Sequence, residues 1–195
     1  MPDDDARPAH AARAEVHLPV AAEVAWALVT DVRNHARWIP HTRIDAAHPL
    51  AAGDPFVAVT GPFATRGRAG PGSRAGFADR MALAERMALV DRIALVDRMV
   101  VTTSEPPTTS PPHPGRAGYR KLGPVLLGGA EVVVAPAGPG GCTVTWYEAI
   151  HLRGLPARLV APVARPLTGA MLRHALRRLA AEVRAANVQT EDGAR

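Results

Sequence analysis

Gly129-Ala130-Glu131-Val132-Val133-Val134-Ala135 and Cys142-Thr143-Val144-Thr145-Trp146-Tyr147-Glu148-Ala149-Ile150 are two β-rich runs joined by Pro136-Ala137-Gly138-Pro139-Gly140-Gly141. Valine, threonine and aromatics favour a pleated sheet, and a glycine/proline linker supplies the turn, so the spacing predicts an antiparallel hairpin. In the second run Val144, Trp146, Glu148 and Ile150 share one strand face; Thr145, Tyr147 and the position of His151 share the other. The first set is the more apolar and is expected to face inward. A lone carboxylate among apolar groups has a raised pKa and serves as acid or base, which makes Glu148 the candidate catalytic residue. The competing reading is a carboxylate paired with an arginine, or one in water at a cavity mouth.

Outward toward the C-terminus, Gly154-Leu155-Pro156 ends the strand, and Pro156 suits a first helical position. Pro162 and Pro166 are expected to break or kink the path. From about Leu167 to Ala186 the pattern is helical. Leu172, Ala175, Leu176, Leu179 and Val183 form an apolar stripe, and Arg173, Arg177, Arg178 and Arg184 lie outside it. Residues 187–195 read as a frayed tail.

Toward the N-terminus, residues 1–13 read as a disordered tail. Val16, Leu18 and Val20 alternate with polar neighbours in a short strand closed near Pro19. A helix is expected from about Ala21 to Asn34, with Val24, Leu28 and Val32 at a spacing of four beside Ala25 and Val29, and Glu23 in its first turn. His35-Ala36-Arg37-Trp38-Ile39-Pro40 reads as a compact turn. Phe56-Val57-Ala58-Val59-Thr60 is strand-like, Arg66 to Arg74 a basic loop, Val100-Val101-Thr102-Thr103 a strand end, and Ser104 to Gly118 a proline-rich loop.

Between these lies a repeat of six residues: Asp79-Arg80-Met81-Ala82-Leu83-Ala84, then copies starting at Glu85, Asp91 and Asp97. Six residues advance about 600° on a helix, so no stripe survives there. On a strand the period is even, and acid, Met and Leu share one face. Twenty-four residues of strand would run roughly 80 Å, too long for this chain. The last copy is therefore expected in the sheet, and the stretch at about 79–96 as an insertion.

The 195-residue chain is 47% hydrophobic and 21% charged, enough to bury a core. One cysteine, Cys142, excludes an internal disulfide and a multi-cysteine zinc site. The acidic start Met1-Pro2-Asp3-Asp4-Asp5 does not resemble a secretory leader, and the sixteen uncharged residues between Glu131 and Glu148 are broken by proline and glycine, so no transmembrane segment is expected. A cytoplasmic location is the expectation. Residues 151–184 carry seven arginines against Glu182, a net +6, while the rest balances at −1. Base-reading motifs are absent, so nucleic acid is not an expected partner. His35, His41 and His48 lack ligand spacing, and neither a metal nor a cofactor is expected. Gly70 to Ala75 formally matches a dinucleotide fingerprint but lacks alternating strand–helix units. Ser73, Ser104 and Ser110 sit in glycine/proline loops unsuited to a nucleophile, and Cys142 has no activating helix terminus.

Strand, helix pair, antiparallel strands and long C-terminal helix, over about residues 14–186, resemble the START-like (SRPBCC) helix-grip superfamily of polyketide cyclase/dehydrase-like ligand-binding proteins. Val16 to Trp26, Asp31 to Pro40 with its aspartate, short turn, tryptophan and proline, Lys121-Leu122-Gly123-Pro124, and Val144 to Glu148 carry the resemblance; the last two look like strands of actinobacterial members. The repeat and the long basic loop depart from the pattern. The resemblance implies an α+β helix-grip fold, a single domain at 14–186 in which a curved antiparallel β-sheet wraps around a long C-terminal α-helix and encloses a cavity. It also implies a hydrophobic small-molecule ligand, aromatic, polyketide-like or lipid-like, with cyclase or aromatase activity as one extension. The alternative is a non-enzymatic lipid or quinone carrier, or a protein-partner module using the basic helix. Trp38, Met99, Val101, Tyr119, Val144, Trp146 and Met171 are the candidate ligand-binding residues, since aromatics and methionine suit flat apolar molecules. Nothing in the sequence sets an oligomeric state.

Overall fold

The computed structural model describes residues 11–61 and 95–193. In chain order the elements are β1 (Ala12–Leu18), α1 (Ala22–Thr30), a 3-10 turn (Val32–Asn34), α2 (His35–Trp38), β2 (Thr42–Asp45), β3 (Pro55–Thr60), β4 (Leu95–Glu105), β5 (Thr108–Thr109), β6 (Pro112–His113), β7 (Gly115–Gly123), β8 (Leu126–Pro136), β9 (Cys142–Leu152) and α3 (Ala157–Gly193). Seven strands form one antiparallel sheet in the order β1-β9-β8-β7-β4-β3-β2, and β5 and β6 make a separate short hairpin. The sheet curls around α3, giving the α+β helix-grip arrangement.

The β8–β9 hairpin forms as its composition dictates. Val134 pairs with Val144 and Val132 with Trp146, and Gly138 and Gly140 take positive φ in the turn. The first strand then returns to pair with the last, Val16 opposite Val144. Helix α3 lies against β1 and β9. Leu172, Leu176, Leu179 and Val183 meet Val132, Val134, Val144 and Trp146 in the core, all at most 4% exposed. Such full burial stabilises each aliphatic side chain by roughly 1.5–3 kcal/mol. At Gly128 (φ +127°) a Cβ would lie 2.0 Å from the Ala149 carbonyl oxygen, so only glycine lets β8 pass β9 there.

Several boundaries differ from the sequence expectation. β1 starts at Ala12, inside the stretch expected as tail, and Ala12 is buried. Alanines give little strand signal, but their small side chains admit the helix; a Cβ at Gly169 of α3 would sit 3.9 Å from that of Ala12. The expected Ala21–Asn34 helix is interrupted after Thr30. Asp31 accepts a hydrogen bond from the Arg33 N–H at 3.2 Å and starts the 3-10 turn, and the expected turn at His35–Trp38 is one turn of helix. Its buried stripe is Ala25, Val29 and Val32, while Val24 is 51% exposed. Both spacings are helical, and only the packing against the sheet chooses between them.

The loop expected from Ser104 to Gly118 is largely strand, with β4 reaching Glu105 and β7 starting at Gly115. Pro162 and Pro166 lie within one continuous helix, which runs on past the expected frayed point at Asn187. Proline removes an N–H and frees a carbonyl four residues back; here those carbonyls belong to Arg158 and Pro162, both exposed residues, so the freed groups are not forced into the core. Asn187 is tied back by its side-chain N–H to the Pro19 carbonyl at 3.1 Å. The last repeat copy, Asp97 to Thr102, is in β4 as expected. Leu95 and Val96 already belong to that strand, while residues 79–94 and the basic loop at 66–74 lie outside the described residues.

Candidate functional site

Strand alternation gathers one face. On β4, Asp97, Met99 and Val101 share parity; on β7, Tyr119 and Lys121; on β9, Val144, Trp146 and Glu148. Register brings them together, with Met99 opposite Lys121 and Val101 opposite Tyr119. Met99, Val101, Tyr119, Val144 and Trp146 are all buried in the core cluster, as is Trp38 of α2, and half-buried Met171 of α3 packs against it. The seven residues expected to bind a ligand thus line one packed region between sheet and helix.

Glu148 faces inward but is not the lone carboxylate expected. Its Oε1 lies 3.0 Å from the Lys121 Nζ, and the same ammonium donates a hydrogen bond to Asp97 Oδ2. The partner is a lysine, where the paired reading anticipated an arginine. The side chains of Lys121, Glu148 and Asp97 are 3%, 7% and 13% exposed. Lys121 is the single lysine of the chain, beside twenty-two arginines. Burial alone would lower its pKa, but the charges of Glu148 and Asp97 outweigh that and push it up to about 12. Burial pushes the Asp97 carboxyl up, Lys121 opposing and Glu148 adding to the shift. One ammonium between two carboxylates leaves the triad net negative when both acids are ionised.

Aromatic rings adjoin the triad. The His35 ring lies 4.8 Å from that of Trp146 and 5.6 Å from that of Trp38, and Phe56 meets Tyr119 edge-on at 5.7 Å. His35 Nε2 donates to the Val29 carbonyl at 2.8 Å. Burial lowers the His35 pKa against the pull of that bond and of Glu148, so the ring is neutral, with Nδ1 as its acceptor. Burial also raises the Tyr119 hydroxyl well above its usual value. Trp38 Nε1 donates to Glu182 Oε2 at 2.8 Å, and Arg37 pairs with the other oxygen of the same carboxylate at 2.8 Å.

Two polar atoms on this face have no hydrogen-bond partner among the described residues: Trp146 Nε1 and Asp97 Oδ1. An unmade bond at a buried polar atom costs roughly 1–3 kcal/mol. One is a donor, the other an acceptor.

Asp97, Lys121 and His35 were absent from the sequence-derived site. Parity was the available signal for the first two: Asp97 shares a face with Met99, and Lys121 with Tyr119. His35 carried none, because nothing local shows that its ring meets Trp146. Among the described residues no three His, Cys, Asp or Glu side chains gather to hold a metal; His35, His41 and His48 form no such group. Cys142 is buried, and burial, with Glu23 adding, pushes its thiol up to about 11, away from the reactive thiolate. No helix among the described residues is long and apolar enough to cross a membrane.

Residues 9–184 match the family described as polyketide cyclase / dehydrase and lipid transport. No curated protein matches the chain in sequence. Among solved structures, similarity extends to a hypothetical protein, jhp0584, of Helicobacter pylori (12% identity, 92% of this chain and 91% of that one, TM-score 0.61). A START superfamily protein of Mycobacterium smegmatis is similar at 11% identity over 90% and 98% of the chains, TM-score 0.56. The di-domain ARO/CYC StfQ from the steffimycin biosynthetic pathway is similar at 14% identity, over 90% of this chain and 52% of that one, TM-score 0.56. At these identities the likeness is one of fold.

Proposed function

Because the chain belongs to the polyketide cyclase/dehydrase and lipid transport family, we propose that the inner sheet face binds a neutral, flat, hydrophobic small molecule bearing a hydroxyl, as an aromatic polyketide-like compound does. The observation that carries this is the pair of unpartnered buried atoms, Asp97 Oδ1 and Trp146 Nε1, on a face where, beside the Lys121–Glu148–Asp97 triad, rings and aliphatic side chains predominate. A ligand hydroxyl donates to the first, and a ligand oxygen accepts from the second. Trp38, Tyr119, Met99, Val101, Val144 and Met171 supply apolar contact. A fatty carboxylate is disfavoured, because it would bring a further negative charge to a triad that is already net negative.

In this reading Glu148 is a positioning residue that holds Lys121. The acid–base candidate passes to Asp97, whose carboxyl is pushed up and has an oxygen to spare. The test is a calorimetric titration with 1-naphthol, 1-methylnaphthalene and sodium decanoate. Naphthol should bind most tightly and decanoate least. Trp146→Phe or Asp97→Ala, each of which deletes the polar atom, should reduce naphthol affinity roughly tenfold, the weight of one hydrogen bond, and leave methylnaphthalene nearly unchanged. Decanoate binding as tightly as naphthol would favour the lipid-carrier reading, and no binding of either aromatic would overturn the proposal.

A further inference from the structure

The N-terminal third of α3 carries its apolar residues on the wrong side for a core. Leu159, Val163 and Leu167 recur every fourth residue and are 66%, 64% and 66% exposed, and Leu155, just before the helix, is 50% exposed. Further along, Leu172, Leu176 and Leu179 are buried against the sheet. Val163 and Leu172 are nine positions apart, which is roughly 180° around a helix of 3.6 residues per turn. The stripe therefore faces directly away from the protein. The same outer face then turns basic: Arg173, Arg177 and Arg184 fall within about 80° of Val163 by the same periodicity, and all three are exposed. Beside the helix start, the β7–β8 turn presents Val125, 50% exposed, held there as the Arg153 N–H donates to its carbonyl at 2.9 Å.

We infer that this end of the molecule docks on an anionic lipid surface, with Leu159, Val163 and Leu167 entering the headgroup–acyl boundary and the downstream arginines facing lipid phosphates. Charge complementarity and helix geometry both favour this docking. Residues 151–184 are net +6. Isolated apolar side chains protruding from a convex helix need no shaped pocket, and a helix with an apolar stretch and a basic face suits the interface of a bilayer. This inference does not rest on the ligand proposal, since none of its residues lines the inner face.

The experiment is co-sedimentation of the full chain with extruded phosphatidylcholine vesicles, with and without one quarter phosphatidylglycerol, at low and at physiological salt. Binding should require phosphatidylglycerol and weaken with salt. Leu159→Ser/Val163→Ser and Arg173→Gln/Arg177→Gln should each lower partitioning roughly tenfold or more. Both pairs are exposed, so circular dichroism melts should match the parent. As a second readout, Leu159→Cys can be labelled selectively, because Cys142 is buried; a polarity-sensitive dye there should shift to the blue on anionic vesicles. Absent binding, binding indifferent to phosphatidylglycerol, or a concentration-dependent dimer that Leu159→Ser/Val163→Ser abolishes would overturn the inference, the last by assigning the stripe to a second copy.

Discussion

The Trp38 indole N–H donates to the Glu182 carboxylate at 2.8 Å, joining the one-turn helix α2 to the far part of α3 across 144 positions of sequence. Trp38 is itself 2% exposed, so one side chain both fills the core and fixes the angle at which α2 meets the long helix. Trp38→Phe keeps most of the apolar volume and removes the bond. A hydrogen bond to a charged group contributes about 1.5–3 kcal/mol, so the urea midpoint should fall accordingly. Arg37→Ala, which removes the exposed partner of the same carboxylate, should cost less than about 1 kcal/mol.

Lys121 is the hinge of the buried charges. Lys121→Met leaves Glu148 and Asp97 side by side without a cation and should destabilise by about 3–5 kcal/mol. Replacing all three, Asp97→Leu/Lys121→Met/Glu148→Leu, removes the desolvated charges together and should lie within about 2 kcal/mol of the parent. Equilibrium unfolding of both variants decides; a triple variant as unstable as the single one would show that the net contribution of the triad is itself large.

Stability should fall at alkaline pH. Lys121 titrates near 10.5 when unfolded and at about 12 when folded. Its contribution is fully present below pH 10.5 and is lost as pH rises through 12. The shift corresponds to about 2 kcal/mol. Tyr119 and Cys142, both raised, act in the same sense. Lys121→Arg stays charged throughout this window and should shallow the alkaline loss by about that amount. Equal slopes for the two proteins between pH 10 and 12 would contradict the assignment of charge to Lys121.

Deleting residues 79–90, two whole copies of the repeat, should leave the fold intact. The sheet uses the chain from Leu95 onward, and twelve is even, so every downstream side chain keeps its face. The chain between β3 and β4 would remain more than twenty residues long, and by polymer statistics such a shortening changes closure entropy by well under about 1 kcal/mol. The melting temperature should stay within a few degrees; loss of folding would show that the deleted copies are structural.

Much of the architecture was legible because it is local. The valine runs flanking Pro136–Gly141 specify their own hairpin, and the two-residue period assigns Trp146 and Glu148 to one face before any partner is known. The same period puts Met99 and Val101 on one face of their strand and Val144 with Trp146 on theirs, since alternation is a property of the strand and not of its neighbours.

Local pattern thus limits which side chains can share a face. Which of them meet was decided by the tertiary structure, because register across separate strands is set by packing of the whole sheet. No local pattern brings Lys121 of β7 between Asp97 of β4 and Glu148 of β9, or His35 of α2 against Trp146. The same cause explains the helices. Val24 and Ala25 both fit an apolar stripe, and the sheet buries only Ala25. Pro162 and Pro166 would break a buried helix, yet they are tolerated where α3 is exposed and the freed carbonyls of Arg158 and Pro162 are not forced into the core.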